Sequence, residues 1–412
     1  MNMNSMLYLV GFLLATMCLL VLGVNVWVLI DDLRTIDVPP SVLHPVKLRI
    51  LHYGFHLTTT WGNIFEKMKI CSMSQFVCFV QDSLAPKENL GMFVKDLHFG
   101  TIPVRIFHPK AASSKPRRGI IFCHGGGALI GSLDSYHNLC AFLARETDSV
   151  LMSVGYRKLP YYHHPSLYYD CLNASIHFLN SLKVYGVDPS RVVICGDSIG
   201  GAVAAIVTQT LSSRTDIPKI RAQVLIYPVL QAFYFQSPSH LTNINIPFLT
   251  QEFFITCVCK YLAIDLSWKD TMLTGASISP SAWKKYEKWL SPENIPKRFK
   301  TEYRPPESPT PFNEAAYLET KHAMNVDISP LLADDKIITQ LPEAFIVSLH
   351  WDIVRDDVLL YKKRLEDHGV PVTWHHVVDG FHGCMLLFDK KFFSFPCSVN
   401  IMHAVVSYIK GL

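Results

Sequence analysis

The stretch RVVIC at 191–195, apolar throughout after Arg191, stops at Gly196-Asp197-Ser198-Ile199-Gly200 and gives way at once to GAVAAIVTQTL, which is small, apolar and uncharged. The first run has no polar face and reads as a strand buried on both sides; the second has the texture of a buried helix. Glycine on each side of Ser198 makes the turn between them very tight. A buried strand turning directly into a buried helix is the unit of a parallel sheet covered on both faces. The chain repeats the pattern: GIIFCH, SVLMSVGY, AQVLIYPVL, AFIVSL and VTWHHVV read as further strands separated by helical or irregular segments. LHFGTIPVRIFHP reads as a strand pair around a Gly-Thr turn. The expected fold is therefore α/β, with a mostly parallel central sheet and helices on both faces.

Two stretches depart from the alternation. Met6 to Ile30 is 25 residues without one charge, enough to span a bilayer, and it follows a short tip of residues 1–5. The run is too long for a cleaved signal peptide and no A-x-A site closes it, so an uncleaved transmembrane signal-anchor over 6–30 is expected. Asp31, Asp32 and Asp37 follow it with Arg34, which specifies orientation only weakly. The remainder, 31–412, reads as one catalytic-type domain with two additions. About 38–90 has helical spacing, with Leu48, Leu51, Phe55 and Leu57 near one face, and reads as N-terminal cap helices. About 231–326, rich in aromatics and prolines, reads as a cap or lid inserted between late strands.

Bulk properties exclude some functions. The net charge of +4 comes from scattered Lys and Arg, so no basic face for nucleic acid is expected. The 11 cysteines show neither CxxC nor Cys/His spacing, so no metal site is expected. Cys71 and Cys78 stand close enough to pair in an oxidising lumen. Asn173-Ala174-Ser175 is a glycosylation sequon.

Chemistry concentrates at strand ends. Gly196-Asp197-Ser198-Ile199-Gly200 in its strand–helix context is a nucleophile elbow with Ser198 as nucleophile, and the helix dipole beyond it favours developing negative charge. His124-Gly125-Gly126-Gly127 follows the strand GIIFC and is an oxyanion-hole turn. Gly125, Gly126 and the N–H of Ile199 are the expected donors, with His124 supporting the loop. An acid and then a histidine should follow at later strand ends. Three aspartates compete after AFIVSL. Asp352 comes soonest and is favoured, because Asp356 and Asp357 fall at a helix start where capping explains them. After VTWHHVV comes Asp379-Gly380-Phe381-His382-Gly383, and His382 is the expected base; His375 and His376 lie within the strand and read as structural. Ser198, Asp352 and His382 together imply acyl transfer through an acyl-enzyme, with no metal or organic cofactor.

The turn at 124–127, GDSIG at 196–200, the Asp352-x-x-Arg355-Asp356-Asp357 stretch and Phe381-His382-Gly383 resemble the hormone-sensitive-lipase type of α/β-hydrolase. With the anchor, KYEKWLSPENIP and DISPLLADD, the chain resembles the arylacetamide deacetylase-like family, nearest its like-3 and like-4 branch. The resemblance covers nearly the whole chain. It implies an α/β-hydrolase fold, a single-pass type II protein of the endoplasmic reticulum with a lumenal catalytic domain, and hydrolysis of carboxylic esters or arylacetamides. The implied partners are a small apolar ester or lipid substrate and the membrane. Two positions depart from the family pattern: β-branched Ile199 follows the nucleophile, and Tyr161 stands where the family often has an acid. Two rival readings use the same residues, a binding protein on a hydrolase scaffold and an acyltransferase. A binder needs no complete set of nucleophile, acid, base and glycine turn; an acyltransferase differs only in replacing water with an acceptor alcohol.

Overall fold

The structure, a computed structural model, describes residues 3–84, 91–304 and 310–412. Met1 and Asn2 of the tip, 85–90 of the N-terminal cap stretch and 305–309 of the insertion lie outside the described residues. The uncharged run forms α1 (Met3–Thr35), which continues past Ile30 through Asp31 and Asp32. Among the described residues it is the one helix long and apolar enough to cross a membrane, as a single-pass anchor requires. Next come α2 (Pro45–Lys67) and α3 (Met73–Ser83). Pro45 opens α2, where its missing N–H costs nothing. Ser72 and Gln75 form a reciprocal capping box that starts α3, the Ser72 hydroxyl accepting from Gln75 N–H at 3.2 Å and the Gln75 side chain from Ser72 N–H at 3.0 Å.

The body is one eight-stranded sheet built from β1 (Met92–Phe99), β2 (Ile102–Pro109), β3 (Arg117–Cys123), β4 (Ser149–Val154), β5 (Val187–Asp197), β6 (Ala222–Ile226), β7 (Glu343–Trp351) and β8 (Val372–Phe381), in the order β1-β2-β4-β3-β5-β6-β7-β8. The expected strand pair is β1–β2, antiparallel about Gly100 at φ +64°. From β4 to β8 every pairing is parallel, with Ile121 beside Ile194 and Ile194 beside Gln223. Successive residues alternate between faces, as the pleat demands. Ile120, Phe122, Val193 and Cys195 pack under α4 (His137–Glu146) and the C-terminal helix. Ile121, Cys123, Val192 and Ile194 pack under α5 (Ser166–Asn180) and α6 (Ile199–Ser212).

Between β6 and β7 the chain leaves the sheet for α7 (Pro238–Thr242), α8 (Gln251–Leu262), α9 (Lys269–Leu273), α10 (Pro280–Leu290) and α11 (Glu314–Thr320); it returns through α12 (Asp335–Ile338). The last two helices are α13 (Arg355–Asp367) after β7 and α14 (Pro396–Gly411) after β8. All 11 cysteines are free thiols, Cys71 and Cys78 included.

The capping role expected for Asp356 and Asp357 is corrected. Both lie in the first turn of α13, but their carboxylates serve the insertion instead of the helix's own N–H groups. Asp356 accepts from Ser239 N–H at 2.6 Å and from Arg355 Nε at 2.9 Å. Asp357 accepts from Gln231 Nε2 at 3.0 Å and pairs with His240 Nε2 at 3.2 Å, all fully buried. This clasp fixes the start of the insertion beside the β7–α13 turn, and it is energetically exposed because a buried donor without an acceptor is costly. Asp357→Ala is expected to lower unfolding free energy by about 3 kcal/mol, since it strands the buried His240 and takes one of two acceptors from Gln231. Chemical denaturation of the solubilised protein measures it, and a loss under about 1 kcal/mol would show that the clasp carries little.

Candidate active site

In a parallel sheet the carboxyl ends of the strands share one edge, and loops there converge. Five converge here: 124–127 after β3, 198–200 after β5, Tyr227 after β6, Asp352 after β7 and His382 after β8.

Ser198 is held at φ 55° and ψ −125°, a conformation that puts its side chain at the turn's apex. The turn closes only because of its glycines. A Cβ on Gly196 would run into the Gly200 carbonyl, and one on Gly200 into the carbonyls of Cys123 and His124. The Ser198 backbone is tied to the next strand by its N–H donating to Ile226 O at 2.9 Å. Its Oγ lies 2.8 Å from His382 Nε2, and His382 Nδ1 lies 2.9 Å from Asp352 Oδ2. With Nδ1–H donating to the carboxylate, Nε2 is left to accept the Ser198 proton. Asp352 Oδ1 accepts from Val354 N–H at 3.0 Å, and Asn243 of the insertion donates to the Asp352 carbonyl at 2.9 Å. Of the three competing aspartates only Asp352 reaches His382. His375 and His376 bond instead to Asn400 and Ser348.

The glycine turn differs from expectation in one donor. Gly125 N–H donates to Asp197 Oδ1 at 2.8 Å, so it is engaged and turned away from Ser198. A Cβ there would sit 2.6 Å from that carboxylate. Gly126 (φ +114°) and Gly127 (φ +62°) line the cavity with Ile199, and their N–H groups have no acceptor among the described residues. A Cβ on Gly127 would lie 3.2 Å from Cys257 Sγ on α8, so the insertion rests directly on this turn. His124 does support the loop: its Nδ1 bonds to Gly125 O at 2.7 Å, and its ring stacks on Tyr156, whose hydroxyl donates to His124 O at 2.7 Å. Burial first, and Lys158 second, push its pKa down to about 3, so it is neutral.

The residues that join these loops lie outside every local sequence motif. Tyr136 hydroxyl donates to Asp197 Oδ2 at 2.8 Å, and Tyr227 reaches the same oxygen at 3.4 Å. Tyr227 hydroxyl also accepts from Met385 N–H at 3.1 Å, and its ring packs on His382 with centroids 4.9 Å apart. These two isolated tyrosines carry no local pattern; only the fold assembles them. Asn173 is exposed on α5, while the Ser175 hydroxyl of its sequon is buried against Cys171 O.

Above Ser198 opens a cavity of about 430 Å³. Apolar side chains from α2, α3, α8 and residues 386–393 wall it, including Leu51, Phe55, Val77, Phe253 and Leu387, and Ile199 lines its floor. A site of this kind suits an apolar group placed against a nucleophile.

A family model described as the alpha/beta hydrolase fold matches residues 120–290 and 276–386. The chain is 84% identical to mouse (Mus musculus) arylacetamide deacetylase-like 4 family member 1, over 99% of this chain and 100% of that one. It is 60% identical to human (Homo sapiens) arylacetamide deacetylase-like 4, covering 97% and 98%. Bovine (Bos taurus) neutral cholesterol ester hydrolase 1 is 32% identical over 92% of this chain and 94% of its own. A crystal structure of a variant of the esterase rPPE shares the fold, with a TM-score of 0.65 and 19% identity over 90% of this chain and 97% of that one.

Burial raises the Asp197 carboxyl from its ordinary 3.8 to about 6, against the opposing pull of its Tyr136 and Gly125 donors. The folded state thus keeps this proton to higher pH than the unfolded chain. The stability it confers is complete below the unfolded value and lost as pH rises through about 6. Asp197→Asn retains an acceptor for Gly125 N–H and removes the titration. Its melting temperature is expected to vary less than wild type's between about pH 4 and 7, and parallel profiles would assign the pH dependence elsewhere.

Proposed function

The chain belongs to the arylacetamide deacetylase-like family of α/β hydrolases, and from that premise we propose that it is a membrane-anchored serine hydrolase of apolar carboxylic esters, with Ser198, His382 and Asp352 as its triad. The observation that carries this reading is the continuous run of hydrogen bonds from Ser198 Oγ through His382 to Asp352, on the floor of an apolar cavity. Ser198 Oγ attacks the ester carbonyl while His382 Nε2 takes its proton. Asp352 holds the imidazole in that tautomer and stabilises it once charged. Negative charge gathers on the carbonyl oxygen, and the N–H groups of Gly126, Gly127 and Ile199 receive it. Each such donor contributes about 3 kcal/mol to lowering the barrier. His382 returns its proton to the leaving alcohol, and the acyl-enzyme is cleared by water deprotonated at the same Nε2.

In this reading 6–30 is the transmembrane segment and 31–412 the hydrolase domain, with about 38–90 and 231–326 forming the cap over the site. The domain lies in the lumen of the endoplasmic reticulum in type II orientation, and Asn173 is its glycosylation site. A glycosidase-induced mass shift that Asn173→Gln abolishes supports that placement; a wild type insensitive to glycosidase removes Asn173 from it. Ser198 is only 7% exposed, and the lining of the cavity favours acyl groups with substantial hydrocarbon over small polar ones.

A fluorophosphonate probe tests the machinery without the natural substrate. Wild type in membranes is expected to label, and Ser198→Ala and His382→Ala are expected not to. Asp352→Asn should retain the fold and lose about three to four orders of magnitude in kcat on a chromogenic ester. A well-folded wild type that fails to label would move the assignment to a binding protein.

A further inference from the structure

The anchor is not a loose tether. One stripe of α1, through Asn25, Val28 and Asp32, packs on α2, and Val28 and Asp32 are fully buried there. Asn25 O lies 3.4 Å from the Tyr53 hydroxyl, and Asp32 Oδ2 lies 3.4 Å from Arg49 Nη1. Asp32 Oδ1 faces His52 Nε2 at 3.6 Å, and the other nitrogen of that ring accepts from Phe248 N–H in the cavity wall at 3.0 Å. Between the helices the chain is tied down again: Asp37 N–H donates to Asn245 O at 3.0 Å, and Trp351 Nε1, one residue before Asp352, donates to Ser41 Oγ at 2.6 Å. A body fixed to a membrane-spanning helix at so many points is held in one orientation toward the bilayer.

That orientation decides what α2 touches. Tyr53 meets α1 at Asn25, which lies inside the uncharged run; five residues of helix separate it from the run's end, about 8 Å. α2 therefore sits at the depth of the headgroup–acyl boundary. Several residues of α2 and α3 are apolar and exposed. Ile50 and Leu84 both line the cavity yet are 62% and 57% exposed, so they mark its mouth, between α2 and α3. Farther along, Met68 and Ile70 just past the far end of α2 and Phe79 on α3 lie largely open, with Phe79 at 68%. Lys67 and Lys69 flank Met68, a spacing that lets the aliphatic side chain enter hydrocarbon while the ammonium groups stay in the headgroups.

We propose that the α2–α3 face is seated in the bilayer leaflet beside α1 and that the cavity opens into that leaflet, so that a lipid-dissolved ester enters sideways without crossing water. The partner is the lipid surface itself. The proposal rests on reading α1 as a membrane span, and its substrate arm rests on Ser198 as nucleophile. The test separates these. A benzophenone amino acid is placed singly at residue 14, 70, 79 or 184 of the full chain in lipid nanodiscs, and crosslinking to lipid is read by mass. Val184 is an exposed apolar residue just before β5, at the opposite end of the strands from Ser198, and serves as the control. Crosslinks from 14, 70 and 79 but not 184 are expected. Crosslinks from 14 alone, or from none, overturn the proposal, and the second case overturns the anchor reading with it. In parallel, Met68→Glu/Ile70→Glu/Phe79→Glu is assayed on a long-chain ester dissolved in vesicles and on a short water-soluble ester. Turnover of the vesicle substrate should fall at least about tenfold, with the soluble one within about twofold, because the triple variant loses apolar seating only. Equal turnover of the vesicle substrate by variant and wild type overturns the route. If wild type turns over neither ester, the hydrolase reading fails while the crosslinking result still decides the membrane seat.

Discussion

Two glycine-rich turns make this site, and neither has side chains to hold its own shape. The carboxylate of Asp197 holds both. It belongs to one turn by sequence and captures the other through Gly125 N–H, while Tyr136 and Tyr227 bind its second oxygen. Taking a carboxylate fully out of water is costly, and three donors offset that cost only if each stands in place. The low dielectric that makes the group expensive also stiffens each of those bonds. Tyr227 extends the linkage to the third loop, against the ring of His382 and the backbone of Met385. The Ser198 turn, the glycine turn and the histidine loop are thereby set relative to one another by a single buried charge.

The sheet supplies the second condition. With β3, β5, β6, β7 and β8 parallel, their carboxyl ends present 124–127, Ser198, Tyr227, Asp352 and His382 along one edge. The insertion then braces that edge. Asn243 holds the Asp352 carbonyl, and Ser239, His240 and Gln231 are bound by the next two aspartates along α13. The acid is thus oriented from behind as well as from its histidine. α8, α2 and α3 close over it with hydrocarbon.

What the sequence made legible was whatever is written locally. A strand, a glycine-flanked serine and a buried helix are contiguous, so Ser198 could be placed; unbroken apolar runs alternating with helical segments told of the parallel sheet. His382 and Asp352 followed from strand-end positions, and the structure brings His382 to Ser198 and Asp352 to His382. What it hid was tertiary. Which N–H of residues 125–127 faces the cleft depends on a carboxylate 72 residues away, so Gly125 was counted as a donor when its N–H belongs to Asp197. Asp356 and Asp357 sit where capping residues sit, and only the arrival of the insertion redirects them. Tyr136 and Tyr227 stand alone in the chain, with no spacing to announce them. The end of α1 was blurred for another reason: Asp31 and Asp32 look like the close of an apolar span, yet the helix runs on because α2 is there to receive Asp32.

For the hydrolase proposed above, the contact between Gly127 and Cys257 has a consequence for selectivity. Because α8 lies against the backbone of the glycine turn, any outward movement of α8 removes a support from the N–H groups that the proposed mechanism uses. An acyl chain that fits beneath α8 leaves that support intact. One that props α8 outward is still held by the same apolar walls, but its carbonyl meets donors displaced from where the oxyanion forms. Misfit is then felt in the barrier and hardly in the binding, so such an enzyme sorts chain lengths by turnover rather than by affinity, and an oversized ester occupies it as an inhibitor.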